Sequence, residues 1–191
     1  MITQFRLEAC VTMKYIVLLR GINVSGKNKL KMADLRAMLE GMNFEQVQTY
    51  IQTGNIMLEA DEMLNTKLAE SIKAQIKTTF DYDVPTLVLR VGEWRDIFQN
   101  NPFLQKRNED IKALYVTILA ELPDNEMLNA VKDFQHKADE FQVIGKNIYI
   151  FCPDGYGRTK LTNTFFERKL KVAATTRNWK TVTKLMELSE E

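Results

Sequence analysis

Apolar residues along this chain follow two rhythms, and the order in which the rhythms alternate predicts its architecture. The run KYIVLLR (14–20) is short, unbroken and flanked by glycine, the mark of a buried strand. From Met32 the apolar positions become Met32, Leu35, Met38, Leu39 and Met42, one face of a helix that Gly41 and Asn43 bring to a stop. VQTYIQT reads as a strand, Gly54 and Asn55 as its turn and IMLEA as its partner in a hairpin. Leu64, Leu68, Ile72, Ile76 and Phe80 then recur every fourth residue, with Asp61 as the expected N-cap. VPTLVLRV (84–91) is another strand, and Trp94, Ile97 and Phe98 predict a short helix behind it.

That order is strand, helix, strand, strand, helix, strand, the split β-α-β of a ferredoxin-like unit. LQKRNEDIK (104–112) is charged and aperiodic and reads as a linker. The order then recurs. ALYVTIL (113–119) is a strand, and Met127, Leu128, Val131 and Phe134 mark a helix after Asp124. EFQVI and NIYIF form a hairpin around GKN (145–147), LTNTFFERKL (161–170) is helical, VAATTR is a strand and WKTVTKLMEL a closing helix. The repeat is one of topology, with no residue-level repeat beneath it. The expected fold class is α+β: two ferredoxin-like subdomains, each βαββαβ on a mainly antiparallel four-stranded sheet with a trailing helix. Their bounds are 13–103 and 113–191, with 104–112 as linker and 1–12 as an N-terminal extension.

Composition changes this picture little. Of 191 residues 45% are hydrophobic and 27% charged, enough to build a core and too much apolar surface for a disordered chain. Cys10, Cys152 and His136 are too few and too scattered for a disulfide framework or a standard zinc site, so no metal and no cofactor are expected. No apolar stretch approaches the ~20 residues that span a bilayer. MITQFRLEACVT lacks the apolar core of a signal peptide, so the expectation is a cytoplasmic protein without a membrane partner. Residues 1–12 precede Met13 and the first strand, and are expected to be dispensable for stability.

GINVSGKN (21–28) raises a sharper question, because it lies one residue from the phosphate-binding pattern G-x-x-x-x-G-K-[ST]. In a true P-loop the lysine opens a helix whose N–H groups face the anion, and the next hydroxyl ligates magnesium. Asn28 stands in the hydroxyl position, and helical periodicity begins only at Met32, after NKLK. No strand ending in aspartate is cleanly placed for the metal; IMLEAD comes nearest. Nucleotide hydrolysis is therefore a poor reading. A strand-to-helix loop with solvated lysines, or a non-hydrolytic anion-binding loop, fits better.

YIVLLRGINVSGKNKLKMADLRAMLEGMNFEQVQTYIQTGNIMLE and YGRTKLTNTFFERKLKVAATTRNWKTVTKL resemble the N- and C-terminal hallmarks of the family named domain of unknown function 1697. The resemblance runs over nearly the whole chain from about Met13. It implies a two-part α+β protein and brings with it no activity, substrate or cofactor, so no catalytic residue can be carried over. The polar positions within those hallmarks are Arg20, Asn23, Lys27, Asn55, Lys160, Arg177, Asn178 and Trp179.

Conventional catalytic sets are hard to assemble. His136 sits in KDFQHKADE, read as a polar helix end. Ser25 and Thr159 have no base nearby in sequence, Cys152 reads as a small core residue, and Asp139/Glu140 and Glu109/Asp110 read as solvated charges. Charge distribution says more. Residues 20–31 carry Arg20, Lys27, Lys29 and Lys31 with no acid, and residues 157–184 carry eight basic residues against Glu167. These two segments hold +11 and the remaining chain −10, within a net charge of +1. Such polarisation suits a face that binds phosphate or nucleic acid, and it also suits amphipathic helices that merely solvate their lysines.

DGYGRTKLTN adds Gly155 and Gly157 for close approach, Arg158 and Lys160 for charge, and Thr159 or Thr162 to cap the following helix. Arg177, Asn178 and Trp179 suit a phosphate-bearing base or sugar, and equally an interior clamp with Trp179 buried. The expected ligand contacts are Arg20, Asn23, Lys27, Asn55, Arg158, Lys160, Arg177, Asn178 and Trp179, on a basic face between the halves. The expected partner is a phosphate-bearing small molecule or nucleic acid. The alternative is an enzyme acting on a small anionic metabolite with acid–base groups that the sequence does not reveal.

Overall fold

A computed structural model describes residues 11–24, 26 and 28–191. The chain folds into two compact units, divided between Arg90 and Val91. The first unit holds β1 (Thr12–Leu19), α1 (Met32–Glu40), β2 (Glu45–Tyr50), β3 (Asn55–Asp61), α2 (Asn65–Phe80) and β4 (Thr86–Arg90). Its antiparallel sheet has the order β2-β3-β1-β4. Tyr15, Val17 and Leu19 alternate toward one face, where Ile56, Leu58 and Val88 join them under Leu35 and Leu39 of α1 and Leu68, Ile72 and Ile76 of α2.

The second unit adds α3 (Val91–Gln99) and α4 (Pro102–Arg107), then repeats the pattern. β5 (Leu114–Leu119), α5 (Asn125–Lys132), β6 (Glu140–Ile144), β7 (Asn147–Phe151), α6 (Asn163–Leu170) and β8 (Ala174–Asn178) give the sheet order β6-β7-β5-β8, and α7 (Trp179–Glu190) closes the chain. Both halves are thus antiparallel four-stranded α+β units with the ferredoxin-like order. One face of the second sheet packs Ile148, Ile150 and Leu119 against Val131 of α5 and Phe165, Phe166 and Leu170 of α6. The other face meets α3 and α7: the Tyr149 hydroxyl donates to the Ile97 carbonyl (3.1 Å), and the Trp94 indole N–H donates to the Val182 carbonyl (3.2 Å). Trp179 lies beside Tyr149 and Phe98, with ring centroids 6.2 Å apart in each case.

That second helical layer moves the expected boundary. Residues 91–103, assigned by sequence to the first half, pack on the second sheet, because Trp94, Ile97 and Phe103 bury their side chains there. The stretch 104–112 is no open linker either. It completes α4, and Asp110 starts a 3-10 turn by accepting from Lys112 N–H (2.9 Å). Arg107 lies over Phe103 and Phe151 and pairs with Glu140 and Glu109, which raises its pKa.

Several local expectations also shift. The first hairpin turns at Ile51–Gly54, and Asn55 already belongs to β3. Asp61 ends β3 and caps nothing; α2 begins at Asn65 behind Leu64, whose side chain points into solvent at 63% exposure. Val91 opens α3 instead of closing β4, and Phe134 falls just beyond α5. Thr12 starts β1 and the Val11 carbonyl accepts from Glu62 N–H, while the rest of the proposed extension lies outside the described residues.

Candidate functional site

The loop between β1 and α1 is built on left-handed backbone. Gly21, Asn23, Gly26 and Asn28 have φ of 74°, 53°, 76° and 45°. Asparagine tolerates that region because its short amide can bond locally, and here both asparagines do so. Asn23 Oδ1 accepts from Leu30 N–H (2.8 Å), and its Nδ2 donates to the carbonyls of Leu30 (2.7 Å) and Gln52 (2.9 Å). Asn28 Nδ2 donates to the Gly21 carbonyl (3.1 Å), and Asn23 N–H donates to the Asn28 carbonyl (3.2 Å). One side chain therefore folds the loop on itself and ties it to the β2–β3 turn.

That turn can approach only because Gly54 lacks a side chain. A Cβ there would stand 2.6 Å from Leu19 Cβ, and the residue's φ is 78°. Beneath the two loops opens a cavity of about 620 Å³ lined by Asn23, Gly26, Lys29, Lys31, Met32 and Gln52 among others. Lys29 and Lys31 are exposed, and the Tyr82 hydroxyl donates to the Lys29 carbonyl (3.3 Å). α1 starts at this cavity without a side-chain cap. Its first-turn N–H groups carry the positive end of the helix dipole, which Asp34 of the same turn partly offsets. α2 and α5 also start without a side-chain bond, so the missing cap marks the site only together with the cavity and its lysines.

The other sequence candidates are placed as follows. Arg20 follows β1 directly and is half-buried, its N–H donating to the Pro85 carbonyl. Lys27 and Ser25 lie outside the described residues. Asn55 is wholly buried and donates to the Tyr50 carbonyl (3.2 Å) and Thr53 Oγ1 (3.0 Å), a hairpin strut. Arg158 and Lys160 are exposed around a 3-10 turn, and Thr162 caps α6 by accepting from Phe165 N–H (3.2 Å). Thr159 Oγ1 accepts from Leu161 N–H (3.0 Å) and so braces the same loop.

Within the second unit the YGRTK segment reaches Thr176 of TTRNW on one face of the sheet, while Arg177 lies on the other. The Tyr156 ring lies tilted against Tyr115, centroids 4.7 Å apart, and its hydroxyl donates to Thr176 on the α6 face. Arg177, one residue on, projects to the α3/α7 face, where it donates to Thr175 Oγ1 (2.9 Å). Arg177 is 9% exposed, and burial lowers its pKa to about 10. Asn178 accepts from Thr181 N–H (2.8 Å) as the cap of α7, and Trp179 is core. Arg177 and Trp179 therefore take the interior role, while Asn178 is an exposed helix cap.

His136 is not solvated: its Nδ1 lies 2.9 Å from Asp139 Oδ2, with the side chains 12% and 5% exposed. Asp139 is correspondingly no surface charge, and Glu140 is held by Arg107. Cys152 is buried beside this pair, and burial pushes its thiol up to about 11, so it is poorly suited to attack. Sequence reasoning missed the roles of Gln52 and Lys29. The paired glycines Gly21 and Gly54, on loops flanking neighbouring strands, were the available signal.

A P-loop's metal aspartate has no counterpart among the described residues. Asp61 pairs with Thr12, at the opposite end of β1 from the loop, some seven residues or roughly 23 Å along the strand. No group of three or more His, Cys, Asp or Glu among the described residues could hold a metal, and no described helix is long and apolar enough to cross a membrane.

The fold and loop together define a two-unit α+β protein with a basic, glycine-hinged cavity in its first unit. The chain belongs to the family described as protein of unknown function DUF1697, which it matches over residues 13–149. Among solved structures it is similar to a conserved bacterial protein, SP0830, from Streptococcus pneumoniae. Identity is 24% and the TM-score 0.74, over 93% of this chain and 98% of that one, a likeness of fold. Among curated proteins none matches.

Proposed function

We propose that this protein binds a phosphate-bearing small molecule in the cavity beneath the β1–α1 loop. The observation that carries the reading is that cavity's lining: Lys29, Lys31, the Gly26 backbone and the uncapped start of α1 share one space. Lys29 and Lys31 are exposed at the rim of this space, where their charge favours an anion. Lys27 belongs to the same loop in sequence and joins the reading as a further cation. A space of about 620 Å³ suits a nucleotide-sized ligand better than a strand of nucleic acid. A cytoplasmic location belongs to the same proposal, supported by the free thiol of Cys152.

Calorimetric titration with a panel of inorganic phosphate, sugar phosphates and nucleotides tests it. At least one compound should bind, and Lys29→Ala with Lys31→Ala should weaken it roughly tenfold or more, at ~1.5–3 kcal/mol per charged hydrogen bond. Affinity should fall gently with salt, as few phosphates are neutralised. Binding that ignores both substitutions would reject the site. A steep salt slope with oligonucleotides would transfer the reading to nucleic acid.

A further inference from the structure

The second unit has an open sheet edge beside an apolar groove. β6 pairs with β7 on one side and forms the end of its sheet. A two-residue turn, Gly145–Lys146, joins them, with Ile144 facing Asn147. Antiparallel pairing alternates bonded and unbonded positions. Ile144, Gln142 and Glu140 therefore turn their backbone groups to β7, and Phe141 and Val143 turn theirs outward. α5 runs alongside, and a groove of about 560 Å³ lies between, lined by Leu122, Leu128, Phe141 and Val143 with Lys132 as its charged residue.

The ends of this groove differ. β6 is parallel to β5 through β7, and α5 leads back from the Leu119 end of β5. Lys132, the last residue of α5, thus stands toward the Phe141 end. The chain from 133 to 139 crosses from helix to strand at that end, beyond the groove's lining. The His136–Asp139 pair and its isolated β-bridge hold that crossing in place.

We propose that the groove receives the C-terminal segment of a partner protein as an added strand antiparallel to β6. The partner's backbone bonds the outward groups of Phe141 and Val143, alternate apolar side chains enter beside Leu122 and Leu128, and the terminal carboxylate meets Lys132. Backbone bonding requires an extended chain, and Lys132, the charged residue of the lining, matches a terminal carboxylate at the Phe141 end.

The probe is a degenerate pool of hexapeptides ending in valine, prepared once with a free carboxylate and once amidated, added to the isotope-labelled full chain. The free-acid pool should shift the amide signals of Phe141 and Val143 and bind about tenfold tighter than the amide. Lys132→Ala, at an exposed position, should erase that difference at unchanged melting temperature. Val143→Pro removes an outward N–H, which an edge tolerates, and should weaken both pools. Equal binding of acid and amide, full binding to Lys132→Ala, or shifts confined elsewhere would overturn the proposal. So would no binding at all, or self-association through β6 without peptide.

Discussion

The two glycine-rich basic loops, 21–31 and 155–160, look alike in sequence and are built for different ends. In the first, Asn23 commits its amide to Leu30 and Gln52, so the loop is held away from its own helix and a cavity remains. In the second, Thr162 caps α6 and Thr159 braces Leu161, so the loop satisfies the helix start itself. Arg158 and Lys160 are left in solvent. Glycine and lysine do not make an anion site; what the neighbouring polar side chains are bonded to decides whether donors are left for a ligand.

The largest effect should come from the close approach that holds the first loop. Gly54→Ala places a Cβ against Leu19 at a left-handed φ and should cost ~3 kcal/mol or more, read as a lower urea midpoint. Gly155→Ala meets open space and carries only the backbone strain of φ 86° and ψ 149°, so it should cost ~1–3 kcal/mol, less than Gly54→Ala. Equal losses would remove the contrast between the loops.

Next is the amide tie. Asn23→Ala removes three hydrogen bonds and should cost roughly 2–3 kcal/mol in chemical denaturation, whereas Thr162→Ala should cost ~1 kcal/mol as a lost helix cap. If Asn23→Ala proved the milder of the two, the first loop would owe its shape to something else.

Alkaline pH probes the core behind the second loop. The buried Cys152 thiol titrates at about 11 against an ordinary 9, so folding favours its protonated form. Its contribution is whole below pH 9 and is lost as pH rises through 11, about 3 kcal/mol at most. Tyr149, raised by burial to about 12, adds a loss of the same sign above pH 10; Arg177, lowered to about 10, acts oppositely there. The difference in melting temperature between wild type and Cys152→Ala should therefore narrow from pH 8 to pH 11. A constant gap would contradict the buried-thiol account.

Much of the fold is legible in the sequence because its strands and helices differ in period. Tyr15, Val17 and Leu19 alternate, whereas Leu68, Ile72 and Ile76 recur at four. The boundary was not legible, because whether Trp94 and Ile97 pack on the sheet before or after them is a matter of tertiary choice, which local pattern does not encode. The fate of Arg177 turned on strand parity: one residue of register separates the α6 face from the α3/α7 face. His136 and Asp139 looked solvated because their neighbours are polar, yet a bend over 136–139 folds the two side chains together. Gly21 and Asn23 were visible as loop formers, while the reach of Asn23 to Gln52, 29 residues away, was not.

Amide chemical shifts recorded while phosphate compounds are titrated into the labelled protein bear most directly on the central claim. The account predicts shifts at Gly26, Asn28, Lys29, Lys31 and Met32, with Gly157, Arg158 and Lys160 silent or moving only as nonspecific surface charges do. Saturable shifts centred on residues 156–160, with the first loop unmoved, would contradict it.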